Sequence, residues 1–566
     1  MTQTNSPPRP VLRAALLVAA TAAALAVPLQ ASATDADTAA ANASPPNGDA
    51  LLSTLVTLIQ TLVDQGVLTP AKAQDMLRQA GVDPTLLTTA PPPAGVRDAG
   101  PVVRIPYVPQ VLKDELRESL KRDVLAQARE EHWAEPAALP SWVGRLNWYG
   151  DMRFRIERED YPSDNATTLA IDNAYQLVPG TTLSTVNTRN RPRLRARLGV
   201  DANLDENFKA NVMIVTTTGD DLTASPVSFN SDQGRYGRPF SAGIDTAYLQ
   251  WSPIPALRVT GGRVTNPYLS SDITYLTSDL LWWRDLAFDG ALVRYAPMLD
   301  AKWSAYLNAG AHPLQTTQRG PFNTAQDQWL YAGQAGVAFK GFDESTFRAG
   351  VSYFSYVGVQ GQLNPANPAQ NTFNSQSAPG FRQRGNTMVD LNALSNPGTS
   401  LWGIAGQFKE LEIDANLELA QFDPLRIALD VDAVRNVGFN AGQIAARIGT
   451  AAQGLPLDRT GHNGIERPRI NGYLVNALVG RHEVLRRGDW QAFAGYRHLE
   501  RDAVVDAFTS PDYHLGGTDQ QGPFVGTNVG VGTNASVILR YSAGRTIDAA
   551  PTFKINEWFL DFLGRF

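Results

Sequence analysis

The chain contains no cysteine, which excludes a disulfide framework and any thiolate metal site. Beyond its N-terminal stretch it also has no apolar run approaching the roughly 18 to 20 residues that a membrane-crossing helix needs, and its mean hydropathy is negative. A helical membrane protein is therefore excluded. Basic excess is missing too: the net charge is -6 over 566 residues, the wrong sign for neutralising phosphates, so no nucleic acid partner is expected. Histidine is scarce, and His132, His312, His462, His482, His498 and His514 show no H-E-x-x-H spacing. With G-x-S-x-G absent as well, neither a metal, a cofactor nor a catalytic centre is expected. Asp512-Tyr513-His514 sets an acid beside a base, but nothing nearby supplies a nucleophile and an orienter, so it reads as a surface feature.

The N-terminus reads as a leader. Arg9 and Arg13 precede a short apolar core, Ala14 to Val27, and Ala31-Ser32-Ala33 is an A-x-A cleavage site, which predicts a signal peptide over 1–33. Residues 34–50, rich in Ala, Asp, Asn and Pro, form a flexible spacer. In 51–89, Leu51, Leu55, Leu58, Ile59 and Leu62 share a helical face that ends at Gly66, and Thr69 with Pro70 starts a second helix, which predicts a helical hairpin. A Pro-rich linker follows over 90–109. Across 110–142, Leu112, Leu116, Leu120 and Val124 mark one more helix. Its stripe is narrow, which favours a helix leaning on the rim of the next domain over a trimer contact or a cell-wall tether.

After Trp142 the apolar period changes from four to two and stays there through 143–566. Leu146, Trp148, Met152, Phe154 and Ile156 alternate with Asn147, Tyr149, Asp151, Arg153 and Arg155. In the next strand Leu194, Ala196, Leu198, Val200 and Ala202 alternate with Arg193, Arg195, Arg197 and Asp201, and a tight turn at Asp205 leads to a third, with Phe208, Ala210, Val212 and Ile214 on its apolar face. Further strands are expected around Thr246, Val259, Val293, Ala305, Ala335, Ala349, Leu417, Leu429, Val475, Ala494, Val529, Leu539 and Leu560. Short turns at Asp205, Pro253, Pro297, Phe342, Pro424, Arg486 and Asn534 alternate with longer loops, of which Val357 to Ser400 and Val437 to Ile470 are the longest. That layout is the one of an all-β transmembrane antiparallel barrel of about 16 strands, since the region allots roughly 26 residues to each strand with its connection. The face carrying Arg193, Arg195 and Arg197 cannot be a dry core, because three neighbouring guanidiniums would lack partners there. It must face water, which leaves the apolar face for outer-membrane lipid. The helical residues ahead of the barrel then lie in the periplasm.

Trp148-Tyr149-Gly150-Asp151-Met152-Arg153, Gly262-Arg263-Val264-Thr265-Asn266-Pro267 with Phe288-Asp289-Gly290, and Leu499-Glu500-Arg501-Asp502-Ala503 followed by Gly516-Gly517-Thr518 resemble, in order and spacing, the bacterial putative porin family of outer-membrane proteins. The resemblance covers most of the mature chain and implies passive transport without fixing the solute. At the C-terminus Trp558, Leu560, Phe562 and Phe566 share one parity, opposite Glu557, Asp561 and Arg565. A last strand ending in phenylalanine resembles the signal read by the barrel assembly machinery. A homotrimer is implied only by analogy with other porins.

Parity places Arg153, Arg155, Arg193, Arg195 and Arg197 on the inner face of strands one and two, and Glu412, Asp414, Glu418, Asp430 and Asp432 on that of strands ten and eleven. In a ring of about 16 strands these walls stand nearly opposite, which predicts a transverse field across the lumen. The plainer reading is that the charges pair within a wall and merely solvate it. The loop from Thr265 to Asp285 either folds inward as a constriction or places Trp282-Trp283 in the outer aromatic girdle, and the usual interfacial belt favours the girdle. Two further alternatives are an adhesion or structural barrel with a plugged lumen and an outer-membrane enzyme.

Overall fold

The computed structural model describes residues 142–566 except 167, 171–181, 218–226, 229–240, 269–278, 317–325, 342–343, 367–374, 378–381, 396–399, 456 and 549–551. The leader, spacer, hairpin, linker and periplasmic helix expected over 1–141 lie outside the described residues.

Sixteen strands close into one antiparallel barrel. They are β1 (Leu146–Asp160), β2 (Arg189–Asn203), β3 (Phe208–Thr217), β4 (Ser241–Ile254), β5 (Leu257–Thr265), β6 (Ala287–Tyr295), β7 (Trp303–Gln315) and β8 (Gln328–Lys340). The circuit continues with β9 (Thr346–Val357), β10 (Lys409–Leu419), β11 (Arg426–Asn436), β12 (Asn471–Gly480), β13 (Trp490–Leu499), β14 (Gln520–Gly532), β15 (Ala535–Thr546) and β16 (Lys554–Arg565). Each strand pairs with its chain neighbours, and β16 pairs with β1 from Asp151 opposite Arg565 to Asp160 opposite Asn556. Closure leaves no edge, which matters because lipid offers backbone N–H and C=O groups no partners. Every strand centre expected from the period-two pattern falls inside one of these strands.

Burial along the strands is inverted relative to a protein folded around an oily core. On β1, Trp148, Met152 and Ile156 are exposed while Arg155, Glu157 and Glu159 are buried. On β10, Leu411, Ile413 and Leu417 are exposed while Glu410, Glu412, Asp414 and Glu418 are buried. An apolar outer band this continuous is far larger than the patches that water-soluble monomers expose. Aromatic side chains mark both rims of the band. Phe208, Trp251, Tyr295, Trp303, Phe347 and Trp490 are exposed toward the short-turn end, and Tyr353, Tyr473, Tyr496 and Trp558 toward the long-loop end. Phe208 stacks on Trp251 at 6.3 Å, and Trp303 lies 4.8 Å from Phe339. On β16, Trp558 and Phe562 are exposed on the outer face, with Glu557 and Asp561 buried on the inner one.

Short turns are made by local side-chain acceptors. Asp205 Oδ1 accepts from the backbone N–H groups of Asn207 and Phe208, Asp300 Oδ1 from Lys302 and Trp303, and Asp489 Oδ2 from Leu485 and Arg486. Each is an aspartate substituting for a backbone acceptor in a tight reversal. The turn expected at Pro253 comes slightly later, because β4 runs to Ile254 and β5 begins at Leu257. Gly262 and Gly290 face each other across β5 and β6 with φ of 128° and 127°. A Cβ on Gly262 would approach the Ala247 carbonyl oxygen to 2.3 Å, so this position of the motif needs glycine for conformation and for space. The long connections lie at the opposite end, and that spanning 437–470 carries one helix, α1 (Ala441–Ile448), with Asn440 accepting from Gln443 N–H as its N-cap.

Candidate functional site: the inner wall and the loops that meet it

Cross-strand register builds the basic wall. Arg153 lies opposite Arg195, Arg155 opposite Arg193, and Asp151 opposite Arg197. Asp151 accepts from Arg195 Nη2 at 2.9 Å and from Arg197 Nε at 2.6 Å. Arg193 Nη1 donates to Glu157 at 3.0 Å, and Glu157 and Glu159 also hold Arg191. Arg155 is wholly buried and bonds Asp561 of β16 through Nε at 2.6 Å and Nη2 at 2.9 Å. All four of these carboxylates share inward parity with the arginines, Asp151, Glu157 and Glu159 on β1 and Asp561 on β16.

Two more carboxylates come from loops. Asp285 accepts from Arg195 Nη1 at 2.5 Å and from Arg197 Nη1 at 3.3 Å, and Asp512 accepts from Arg155 Nη1 at 2.7 Å and Arg540 Nη2 at 2.9 Å. Burial alone would raise the Asp285 carboxyl, yet Arg195, Arg197 and Arg153 hold it well below the usual carboxylate range. Burial is likewise outweighed at Asp512, where Arg155 and Arg540 depress the carboxyl strongly. The arginine ladder is thus an ion-pair network. Arg153 is the exception, keeping Nε and Nη2 buried without a hydrogen-bond partner.

The acidic residues lie on β10 and β11. Glu412, Asp414, Glu418, Asp430 and Asp432 are all buried, and Asp414 lies directly opposite Asp432. Glu418 is held by His482 Nδ1 at 2.9 Å, and Glu410, not singled out in the sequence, accepts from Val505 N–H at 3.0 Å. A cation missed in the sequence stands nearby on β9: Arg348 lies with its Cζ 4.3 Å from the centre of the Tyr306 ring.

The loop before β6 departs from expectation. Leu280, Leu281, Trp282 and Trp283 are buried in an aromatic and aliphatic cluster with Phe288, Phe354 and Phe508. Trp282 lies 5.0 Å from Phe354 and 5.5 Å from Phe508, and Trp283 N–H donates to the Phe508 carbonyl at 2.7 Å. The tryptophans therefore do not join the outer girdle, which other residues form. Their loop packs on the loop spanning 500–519 inside the barrel, with Asp285 anchored to β2.

The motif residues explain how that second loop is held. Asp502 accepts from Thr387 N–H at 2.8 Å and Thr387 Oγ1 at 2.6 Å, while Asn386 Nδ2 donates to the carbonyls of Arg501 and Val504. Thr518 Oγ1 donates to the Arg501 carbonyl at 2.6 Å. Gly517 has φ of 88°, and a Cβ there would come within 2.2 Å of the Arg384 carbonyl oxygen. His514, expected at the surface, is fully buried between Arg384 Nη2, at 2.9 Å, and the Phe553 carbonyl. Burial, then Arg384, holds its ring well below the ordinary histidine range. Asp512 is turned to arginines, so the pair forms no acid–base dyad.

Comparison with solved structures finds similarity to the outer membrane channel DcaP of Acinetobacter baumannii, at 12% identity over 74% of this chain and 97% of that one, with a TM-score of 0.39. Similarity to OprB of Pseudomonas putida is 10% identity over 74% and 94%, with a TM-score of 0.42. An anion-selective porin from Comamonas acidovorans matches at 8% identity over 74% and 99%, with a TM-score of 0.37. No curated protein matches. A family model described as "Putative porin" matches residues 52–566, and the chain belongs to that family.

Proposed function

We propose that this chain is an outer-membrane porin through which small polar or charged solutes diffuse passively along a water-filled, charge-lined path. The observation that carries the reading is the inverted burial pattern: ionisable side chains crowd the inner face of a closed barrel while its outer face is oily and rimmed by aromatics. A dry interior would leave those charges uncompensated, whereas water beside the wall solvates what the ion pairs do not. The outer face then meets lipid, with short turns in the periplasm and long loops outside. β16 supplies the strand that resembles the assembly signal.

Arginines of β1 and β2 opposite carboxylates of β10 and β11 support a transverse field across the path. Asp151, Asp285, Asp512 and Asp561 weaken its basic side, and His482 and Arg426 at Glu418 weaken its acidic side. One observation favours a second reading, a plugged structural or adhesive barrel: the aromatic cluster between the two inner loops narrows the lumen. Liposome swelling separates the two. Vesicles carrying the purified full chain should swell in sugars and amino acids, more slowly as solute size rises. Vesicles that swell no faster than protein-free ones would establish the plug and overturn the porin reading.

A further inference from the structure

Most buried inward arginines near the two loops have a carboxylate of their own, as Arg155 has Asp561 and Arg195 has Asp151. Arg497 on β13 does not. It is only 2% exposed, its Nη2 donates to the Leu280 carbonyl at 3.1 Å, its Nε has no hydrogen-bond partner, and among the described residues no carboxylate forms a salt bridge with it. It lines a cavity between the β12–β16 wall and the two inner loops. Two other residues lining that cavity hold buried donors without partners, Arg540 at Nε and Tyr513 at its hydroxyl. The carboxylates in the lining are occupied: Asp279 takes Arg284 at 2.6 Å, and Asp512 is shared by Arg540 and Arg155. Arg284, Arg497 and Arg540 thus outnumber Asp279 and Asp512 by one positive charge. The remaining lining includes the rings of Phe493, Phe524 and Phe559.

We propose that this cavity is a binding subsite for a small organic carboxylate with an apolar, flat body. The carboxylate would supply the directly hydrogen-bonded ion pair that Arg497 lacks, since a planar guanidinium suits a carboxylate fork and a buried guanidinium with an unfilled donor is costly. Aromatic walls would take the body, and one excess positive charge matches a monoanion. The proposal deepens the porin reading and rests on it for a route to the cavity.

Benzoate is the probe, with benzyl alcohol, acetate and phosphate as controls, titrated calorimetrically into the full chain in detergent micelles. Saturable benzoate binding is expected, with the controls at least roughly tenfold weaker, because each lacks either the charge-assisted hydrogen bonds or the stacked body. Arg497→Gln should weaken benzoate roughly tenfold, and Arg497→Lys, which keeps the charge but not the fork, should fall between. Heat-modifiable migration on gels checks that each variant is folded, and Phe524→Ala provides an independent variant that should weaken benzoate without weakening acetate. Phosphate or acetate binding as tightly as benzoate, or an unchanged affinity in folded Arg497→Gln, overturns the proposal. Channel current in plain potassium chloride is recorded separately. Its absence would overturn the porin reading, while current with no benzoate binding would overturn the subsite alone.

Discussion

Replacing Arg195 and Arg197 together by glutamate is expected to drive the channel strongly toward cation preference and to raise its conductance. Both arginines hold Asp285, the anchor of the inner loop on β2, and both also hold Asp151. The double variant sets four carboxylates side by side, which repel one another, so the loop must leave the wall. A unit charge about 4 Å away contributes about 1 kcal/mol even in bulk water, so a roughly tenfold change in the cation-to-anion permeability ratio is the expected scale. The zero-current potential across a planar bilayer in a salt gradient reads it. An unchanged potential would place this wall outside the ion path.

Asp512→Ala should loosen the loop spanning 500–519 without opening the barrel. The substitution strips one partner from Arg155, which is fully buried, and one from Arg540. Breaking a buried pair on one side costs about 3–5 kcal/mol, whereas the sixteen-strand hydrogen-bond circuit is untouched. Amide exchange in that loop should therefore accelerate by roughly a hundredfold or more, with strand exchange unchanged. The pH dependence has a definite sign. Because the folded Asp512 carboxyl lies well below its ordinary value, its contribution is fully present above about pH 4 and is lost as pH falls through the depressed value. Loop protection in the wild type should hold at pH 5 and fail only in stronger acid, and the variant should show no such acid step.

Much of the barrel was legible because each strand has two different neighbours, lipid and a wet interior, and the side-chain period of two writes that difference directly into the chain. Leu194, Ala196 and Leu198 against Arg193, Arg195 and Arg197 is one instance. Turns were legible where an aspartate makes them, as at Asp205. The inner loops were not, because their side chains find partners far away in sequence and follow no period. Trp282 meets Phe354 and Phe508, and Asp285 meets Arg195 and Arg197, contacts that no local pattern encodes. The same limit hid the role of Asp512 and the burial of His514. Motif residues such as Asp502 and Gly517 were visible as a resemblance, while their work in joining the loop to Thr387 and Arg384 needed the fold.

Because the chain has no cysteine, one introduced thiol at a time can report which solvent each face of a strand meets. Arg197 and Leu198 are neighbours on β2; the Arg197 side chain is 21% exposed on the inner face and Leu198 is 45% exposed on the outer. In reconstituted vesicles, Arg197→Cys should react with a charged, water-soluble maleimide, and a fluorophore on Leu198→Cys should be quenched by nitroxides carried on lipid tails. The reverse assignment, with position 197 quenched from lipid and position 198 labelled from water, would contradict an oily exterior around an ionised lumen.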